Sequence, residues 1–492
     1  MLKKILIPLA LLIVLFCFSC RKDKLITDSS AQLEFSTDTI IFDTVFTQIG
    51  SITKVFKIYN PHLQTVNISS IELAGGEPSN FRINIDGVSA IKQTDIELKS
   101  KDSLYIFVEV TVDPTETSNP MIITDSIIFI TNGNQQDVDL VAWGQDFYYW
   151  YSIGGKYFFP INQETEEFNT GYTLPNDKPH VVYGYLTVDS SNTLTIQAGT
   201  KMHFHQYSGL AVDVAASLFV EGTADNPVIF TSDRTDIDYR DIPGQWGHPI
   251  FGGIWFYTES LNSTIDHAII RNGNIGIKTD STANPNSNTV LTITNSVIEN
   301  MSGVGLLAYN STIKADNCII SNCGQHTLAL PWGGDYEFNH CTFANYWTYE
   351  SRNLGQLVVS NYFEAGSKKQ HWSIDAEFNN CIVHGNKTEE LVIEEVEFSG
   401  MTFNYQFNDC ILRTELNTTT SNYNNALINP ANITIDGVTR NPIFADVEID
   451  DYHLFEQSVA VDYCPEILGL EIDKDGVARD SNPDAGAVEY TP

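Results

Sequence analysis

DNCIISN at 316–322 and NHCTFAN at 339–345 are two copies of one phrase. Four more copies read DHAIIRN (266–272), TNSVIEN (294–300), NNCIVHGN (379–386) and NDCILRT (408–414). In each, a polar residue is followed two places on by a small one: Ala268, Ser296, Cys318, Cys341, Cys381 or Cys410. Two mostly apolar residues come next. Four copies then place an Asn four positions after the small residue: Asn272, Asn300, Asn322 and Asn345. The small residues are 28, 22, 23, 40 and 29 positions apart. A step of roughly 20 to 30 residues suits one coil of a parallel β-helix, with coils stacked in register.

Alternation along a strand sends successive side chains to opposite faces. The small residue therefore points into a narrow core, and the polar residue two before it flanks the turn into the strand. The Asn sits where the chain bends out again. There its amide can bond its own turn and the Asn of the next coil, about 4.8 Å away. Upstream, YLTVDSSNTLTIQAGTKMHFH and LAVDVAASLFVEGTADNPVIFTS are further β-rich runs, punctuated by Gly199, Gly209 and Gly222. A β-sandwich throughout is the rival architecture, but it gives no reason for a Cys and Asn column in register.

This pattern resembles the asparagine ladder of right-handed parallel β-helices, the pectate-lyase-like superfamily, over about residues 180–460. The 40-residue step calls for a loop insert near 344–376. Leu33 to Trp143 reads instead as about seven strands separated by turns such as Asn60-Pro61 and Gly75-Gly76. That suggests an immunoglobulin-like sandwich over 32–146. Its FDTVF, KVFKIYNP and VTVDP segments resemble abnormal-spindle/hydin-like Ig domains. The fold class expected is all-β, with an Ig-like sandwich followed by a right-handed parallel β-helix. An aromatic junction spans 147–179. The last stretch, 461–492, resembles the choice-of-anchor Q segment that ends many bacterial β-helices, and is expected to cap the solenoid.

The N-terminus reads as a targeting segment. Lys3 and Lys4 precede an apolar run from Ile5 to Phe18, and Ser19-Cys20 resembles a bacterial lipobox. On that reading 1–19 is a signal peptide, Cys20 carries the lipid, and 20–31 is a tether. Fourteen apolar residues are short for a membrane span. The expected location is the cell envelope, lipid-anchored at the outer membrane, with the periplasmic or surface face left open. Formal charge is −35, from 62 acidic against 27 basic residues. Nucleic acid is thereby excluded as a partner, since phosphate binding needs a basic footprint. Cys318, Cys341, Cys381 and Cys410 are expected to be free, buried thiols acting as small apolar residues.

Sites are expected where the repeat breaks. Asp233, Asp236, Asp238 and Asp241 form an acidic loop with Arg234 and Arg240. It is either a Ca²⁺ site or, the preferred reading, a solvated loop. His203 and His205 share a face but make only half a metal site. Asp266, His267 and Arg271 lie on the next coil. The aromatic insert offers Trp332, Asp335, Tyr336, Trp347, Tyr349, Arg352 and Trp372 as a sugar-stacking surface, against the plainer reading of a hydrophobic mini-core. Two functions are expected, of which the superfamily resemblance implies the second. One is non-catalytic binding of a polysaccharide or envelope protein. The other is Ca²⁺-dependent polysaccharide lyase chemistry, which needs a carboxylate cluster and an Arg or Lys in one groove.

Overall fold

The computed structural model describes residues 24–47, 49–113, 121–151, 171–281, 290–365 and 368–492. The signal segment and Cys20 lie outside the described residues. The chain is all-β and divides between Asp146 and Phe147.

The first unit is a two-sheet sandwich. Its six-stranded sheet is centred on Thr65–Leu73, Met121–Thr131 and Asn134–Gln145. Its five-stranded sheet is centred on Lys54–Tyr59, Ser103–Val110 and Phe81–Ile85. Alternation works as expected: in SLYIFVEV, Leu104, Ile106, Val108 and Val110 are buried while Tyr105 and Phe107 face out. Phe42, Phe81 and Phe129 fill the core between the sheets.

The second unit is a parallel β-helix of three sheets. Each coil visits them in the same order. The ladder sheet begins with Tyr172–Leu174, the long sheet with Tyr148–Tyr151 and the third sheet with Tyr185–Val188. Every neighbouring pair within them is parallel. The solenoid thus opens at Tyr148, inside the stretch expected to be a junction, because YYWY pairs as a strand with His180–Tyr183. One inward row of the ladder sheet runs Leu174, Ile196, Val220, Ile265, Ile293, Ala315, Phe338, Phe378, Phe407, Tyr423. Its last four rings stack face to face, with centroids 4.7–5.6 Å apart.

The repeated phrase is the corner between the ladder sheet and the long sheet. Its second residue takes the left-handed conformation in coil after coil: His267 (φ 46°), Asn295 (50°), Asn317 (54°), His340 (47°), Asn380 (57°) and Asp409 (51°). Asn and Asp tolerate that region better than most residues. The small third residue then turns inward, and Cys318, Cys341, Cys381 and Cys410 are buried free thiols.

The asparagine ladder sits elsewhere than expected. It is formed by the first residue of the phrase: Asn339 Nδ2 donates to Asp316 at 2.8 Å, Asn379 to Asn339 at 2.9 Å, and Asn408 to Asn379 at 2.8 Å. Of the Asn272, Asn300, Asn322 and Asn345 column, Asn300 bonds Asn272 at 2.7 Å. Asn322 is bonded instead by Tyr452, and Asn345 bonds the backbone of Cys323. A side-chain ladder needs the same backbone geometry in each coil, and Asn345 lacks the positive φ of the other three.

Two further expectations are corrected. The insert contains a regular third-sheet strand, Leu357–Ser360, and only then a hairpin, Tyr362–Ala365 with Lys368–His371. The segment 461–492 does not close an end. Together with Asn441–Leu454 it runs along the outer face of the long sheet, where Phe444, Tyr452, Cys464 and Val488 pack on Ile319, Ile382 and Ile411. An outward apolar row needs such a cover to leave water. Arg479, buried, pins the cover through Asn317, Gly486 O and Glu489.

Candidate functional site

The outer row of the long sheet brings Arg271 beside Glu299 in register, with Ser321 next in line. Three structures wall this pair in. The acidic loop is held on one side, where Asn272 Nδ2 donates to Arg240 O at 2.6 Å and Asn300 Nδ2 to Asp241 O at 2.7 Å. The loop then dives back at Trp246, which is fully buried, stacks on Phe204 and donates to Arg271 O at 2.7 Å. The C-terminal cover supplies Val447–Asp450, tied by Asn322 Nδ2 to Asp450 Oδ1 at 2.5 Å. Tyr346–Tyr349 closes the far end, with Trp347 N donating to Asn345 Oδ1 and Asn386 Nδ2 to Trp347 O. Between them lies a cleft of about 650 Å³.

Three polar groups in this cleft lack partners among the described residues. Trp347 is 7% exposed, and its Nε1–H donates to nothing. Arg271 Nε is buried and unbonded, and no ion pair joins its guanidinium to Glu299. The Glu299 carboxyl likewise has no hydrogen bond. Its burial pushes its pKa up, Arg271 opposes the shift, and Asp450 and Asp241 reinforce it. Buried polar groups are nearly always satisfied, and two of the exceptions, on Trp347 and Arg271, belong to residues lining this one cleft, beside the half-buried Glu299 carboxyl.

The residues expected to act together are dispersed. Trp347, Tyr349 and Asp241 meet at the cleft, where Tyr349 OH donates to Asp241 O at 3.4 Å. Trp332 lies in a different stack, against Tyr309 at 4.0 Å, Phe363 at 4.8 Å and Trp372 at 5.6 Å. There the rings spend their faces on one another. Asp335 pairs in register with Asp375 on the ladder sheet, and burial raises its pKa. Tyr336 is a core residue, 1% exposed, whose hydroxyl donates to Gly333 O at 2.8 Å. Arg352 is no ligand contact either: it forms a buried bidentate pair with Glu390 at 2.8 and 3.0 Å.

The acidic loop does not gather its carboxylates. Asp233 accepts from His205 at 2.7 Å, Asp236 from Arg234 at 3.1 Å and Asp241 from Arg240 at 3.2 Å, while Asp238 is exposed. Three of the four are thus paired with a neighbouring side chain. Among the described residues no three His, Cys, Asp or Glu side chains converge on a point that would hold a metal. His203 bonds Ser232 O, and burial depresses its pKa to about 4. Glu299 escaped sequence reasoning, although the signal was present. Counting three on from each small residue gives Arg271, Glu299, Ser321, Ala344, His384 and Arg413, one outward column.

Residues 166–254 match the family model of a pectate-lyase-like β-helix domain. No curated protein matches the chain. Among solved structures, the catalytic unit of a GH87 α-1,3-glucanase from Streptomyces thermodiastaticus is 12% identical over 72% of this chain and 73% of that one, with a TM-score of 0.31. An ASH/PapD-like domain of human CEP192 is 10% identical over 26% of this chain and 94% of that one, with a TM-score of 0.17. A family 123 glycoside hydrolase from Clostridium perfringens is 7% identical over 25% of this chain, with a TM-score of 0.18. The chain spans about a third of the length of the first structures it matches, 30% and 33%. Likenesses this distant carry no functional argument.

Proposed function

We propose that this is an exported, lipid-anchored envelope protein whose β-helix binds a glycan chain in the cleft around Arg271 and Glu299. The observation that carries the reading is a pair of buried N–H donors without partners among the described residues, on Trp347 and Arg271, in a cleft that also holds the half-buried Glu299 carboxyl. Sugar hydroxyls both donate and accept, so a chain lying in the cleft can bond both a carboxyl and a guanidinium. Exposed Tyr349 adds a ring face for C–H contact beside them. Binding without turnover is the leading form, and the metal-dependent lyase loses support because the acidic loop is internally paired.

One observation favours a catalytic second reading. Arg271 and Glu299 are adjacent in one groove, and Glu299 is biased toward its protonated form. Such a pair can exchange protons with a bound sugar. The test is calorimetry and product analysis with neutral and uronic-acid glycans, with and without Ca²⁺. Saturable binding that weakens at least tenfold in Trp347→Phe and Arg271→Lys, with no cleavage, supports the leading reading. Ultraviolet-absorbing unsaturated products, lost in Glu299→Gln, would move it to the second. Binding unchanged in both variants would sink the site.

A further inference from the structure

Resting on that glycan-binding reading, the charge of the cleft narrows the ligand class. Its walls carry Asp241, Glu299, Glu448 and Asp450 against one guanidinium, Arg271. Arg240 pairs with Asp241 outside, and Lys474 pairs with Asp475. Glu448 and Asp450, both exposed, and Glu299, whose pKa Asp450 helps to raise, therefore face one guanidinium, with Lys474 acting on Glu299 from beyond its own partner Asp475. Asp450 is held by Asn322 with its charge uncompensated, and Glu448 makes no ion pair among the described residues. A neutral sugar leaves this imbalance as it is. A uronate worsens it, in a chain that is already at −35. An ammonium group relieves it.

The orphan donors decide among cations. Trp347 Nε1–H and Arg271 Nε–H call for acceptor oxygens, which a simple polyamine lacks. Tyr349, 58% exposed, offers a ring face at the rim. We propose that the cleft selects a cationic amino-sugar chain, with a free protonated amine on the carboxyl side and hydroxyls on the Trp347 and Arg271 side.

The experiment is titration calorimetry of the full mature chain with oligomers of equal length: glucosamine, N-acetylglucosamine and galacturonate. The glucosamine oligomer should bind at one site per chain, on the order of tenfold tighter than the acetylated one at low ionic strength, with the gap closing as salt rises. The double variant Glu299→Gln with Asp450→Asn should erase the gap, so that the two oligomers bind with equal affinity. Neither change threatens folding, since Glu299 has no partner and Asn tolerates the positive φ of Asp450. Trp347→Phe, which leaves charge untouched, should weaken both neutral and cationic oligomers. Adsorption of cations onto an acidic surface would ignore that change, and such a result overturns the proposal. So does equal affinity for the two glucosamine forms, or a preference that survives the double variant. A Lys-rich peptide that competes at equal concentration would also overturn it, by moving the partner to protein. Binding of the acetylated form alone refutes only this inference, whereas binding of no oligomer refutes the glycan reading as well.

Discussion

Glu390→Gln should be among the most damaging single substitutions in the β-helix. The Glu390 carboxylate is completely buried, and the Arg352 side chain is 2% exposed. Besides the bidentate pair, Arg352 donates to Asn345 O at 3.1 Å and Asn386 Oδ1 at 2.8 Å. Glu390 also accepts from Gln356 N at 3.2 Å and Lys387 N at 2.9 Å. Removing the negative charge leaves a guanidinium buried without a counter-ion, which costs about 3–5 kcal/mol. An amide NH₂ would also confront at least one backbone donor, so little of that is recovered. Replacing both partners, by Arg352→Met and Glu390→Leu, removes the lone charge but strands the two backbone donors at about 1–3 kcal/mol each. The double variant should therefore lie close to the single one, unlike a buried pair whose partners bond only each other. Urea unfolding followed by tryptophan fluorescence measures both. A loss below about 1 kcal/mol for Glu390→Gln, at unchanged slope, would refute the reasoning. Because Asn386 also fixes Trp347 O, the single variant should lose glycan binding as well.

Three further outcomes follow from the scaffold. Asn379→Ala cuts the ladder between Asn339 and Asn408 and should cost about 1–2 kcal/mol in chemical denaturation, whereas the same change at exposed Asn432 should cost nothing measurable. Burial raises the thiols of Cys318, Cys341 and Cys381 well above their usual range, and that of Cys323 to about 12. A thiol reagent at neutral pH should leave these four unmodified until the β-helix unfolds, and labelling faster than unfolding would contradict the inward packing. His453 lies between Asp475 at 3.2 Å and Asp451 at 2.6 Å, which raise its pKa to about 9, with Lys474 beside Asp475. Since the folded value exceeds the unfolded one, its stabilisation is full below about pH 6.5 and fades as pH rises through about 9. Protection of 441–490, taken against the intrinsic exchange rate at each pH, should fall across that window, and His453→Gln should flatten the fall.

What could be read from sequence follows from which residues the coil constrains. The inward column is constrained most, so the small residues from Ala268 to Cys410 announced the solenoid before any coordinates. The corner is constrained next, by backbone conformation, which is why Asn and Asp recur at the second place of the phrase. The Asn at the fourth place after the small residue looked like the ladder because it too is left-handed in Asn272, Asn300 and Asn322. Its side chains, however, are claimed by the acidic loop and the C-terminal cover. The outward column is constrained by nothing local, and Arg271, Glu299, Ser321, Ala344, His384 and Arg413 show no pattern. What chooses the site along that column is burial by remote chain. Thr231, one coil before Arg271, is 9% exposed. Past Glu299, Ser321, Ala344 and His384 are at most 1% exposed, and the last two lie beneath Phe444 of the C-terminal cover. Asp450 reaches Asn322 across 128 residues of sequence, a contact no repeat can foretell. Arg271 and Glu299 occupy the gap that these covers leave. The position of the cleft is therefore set less by the repeat than by where its coverings stop, and lengthening or shortening the 446–450 turn should move the cleft's wall without disturbing a single coil.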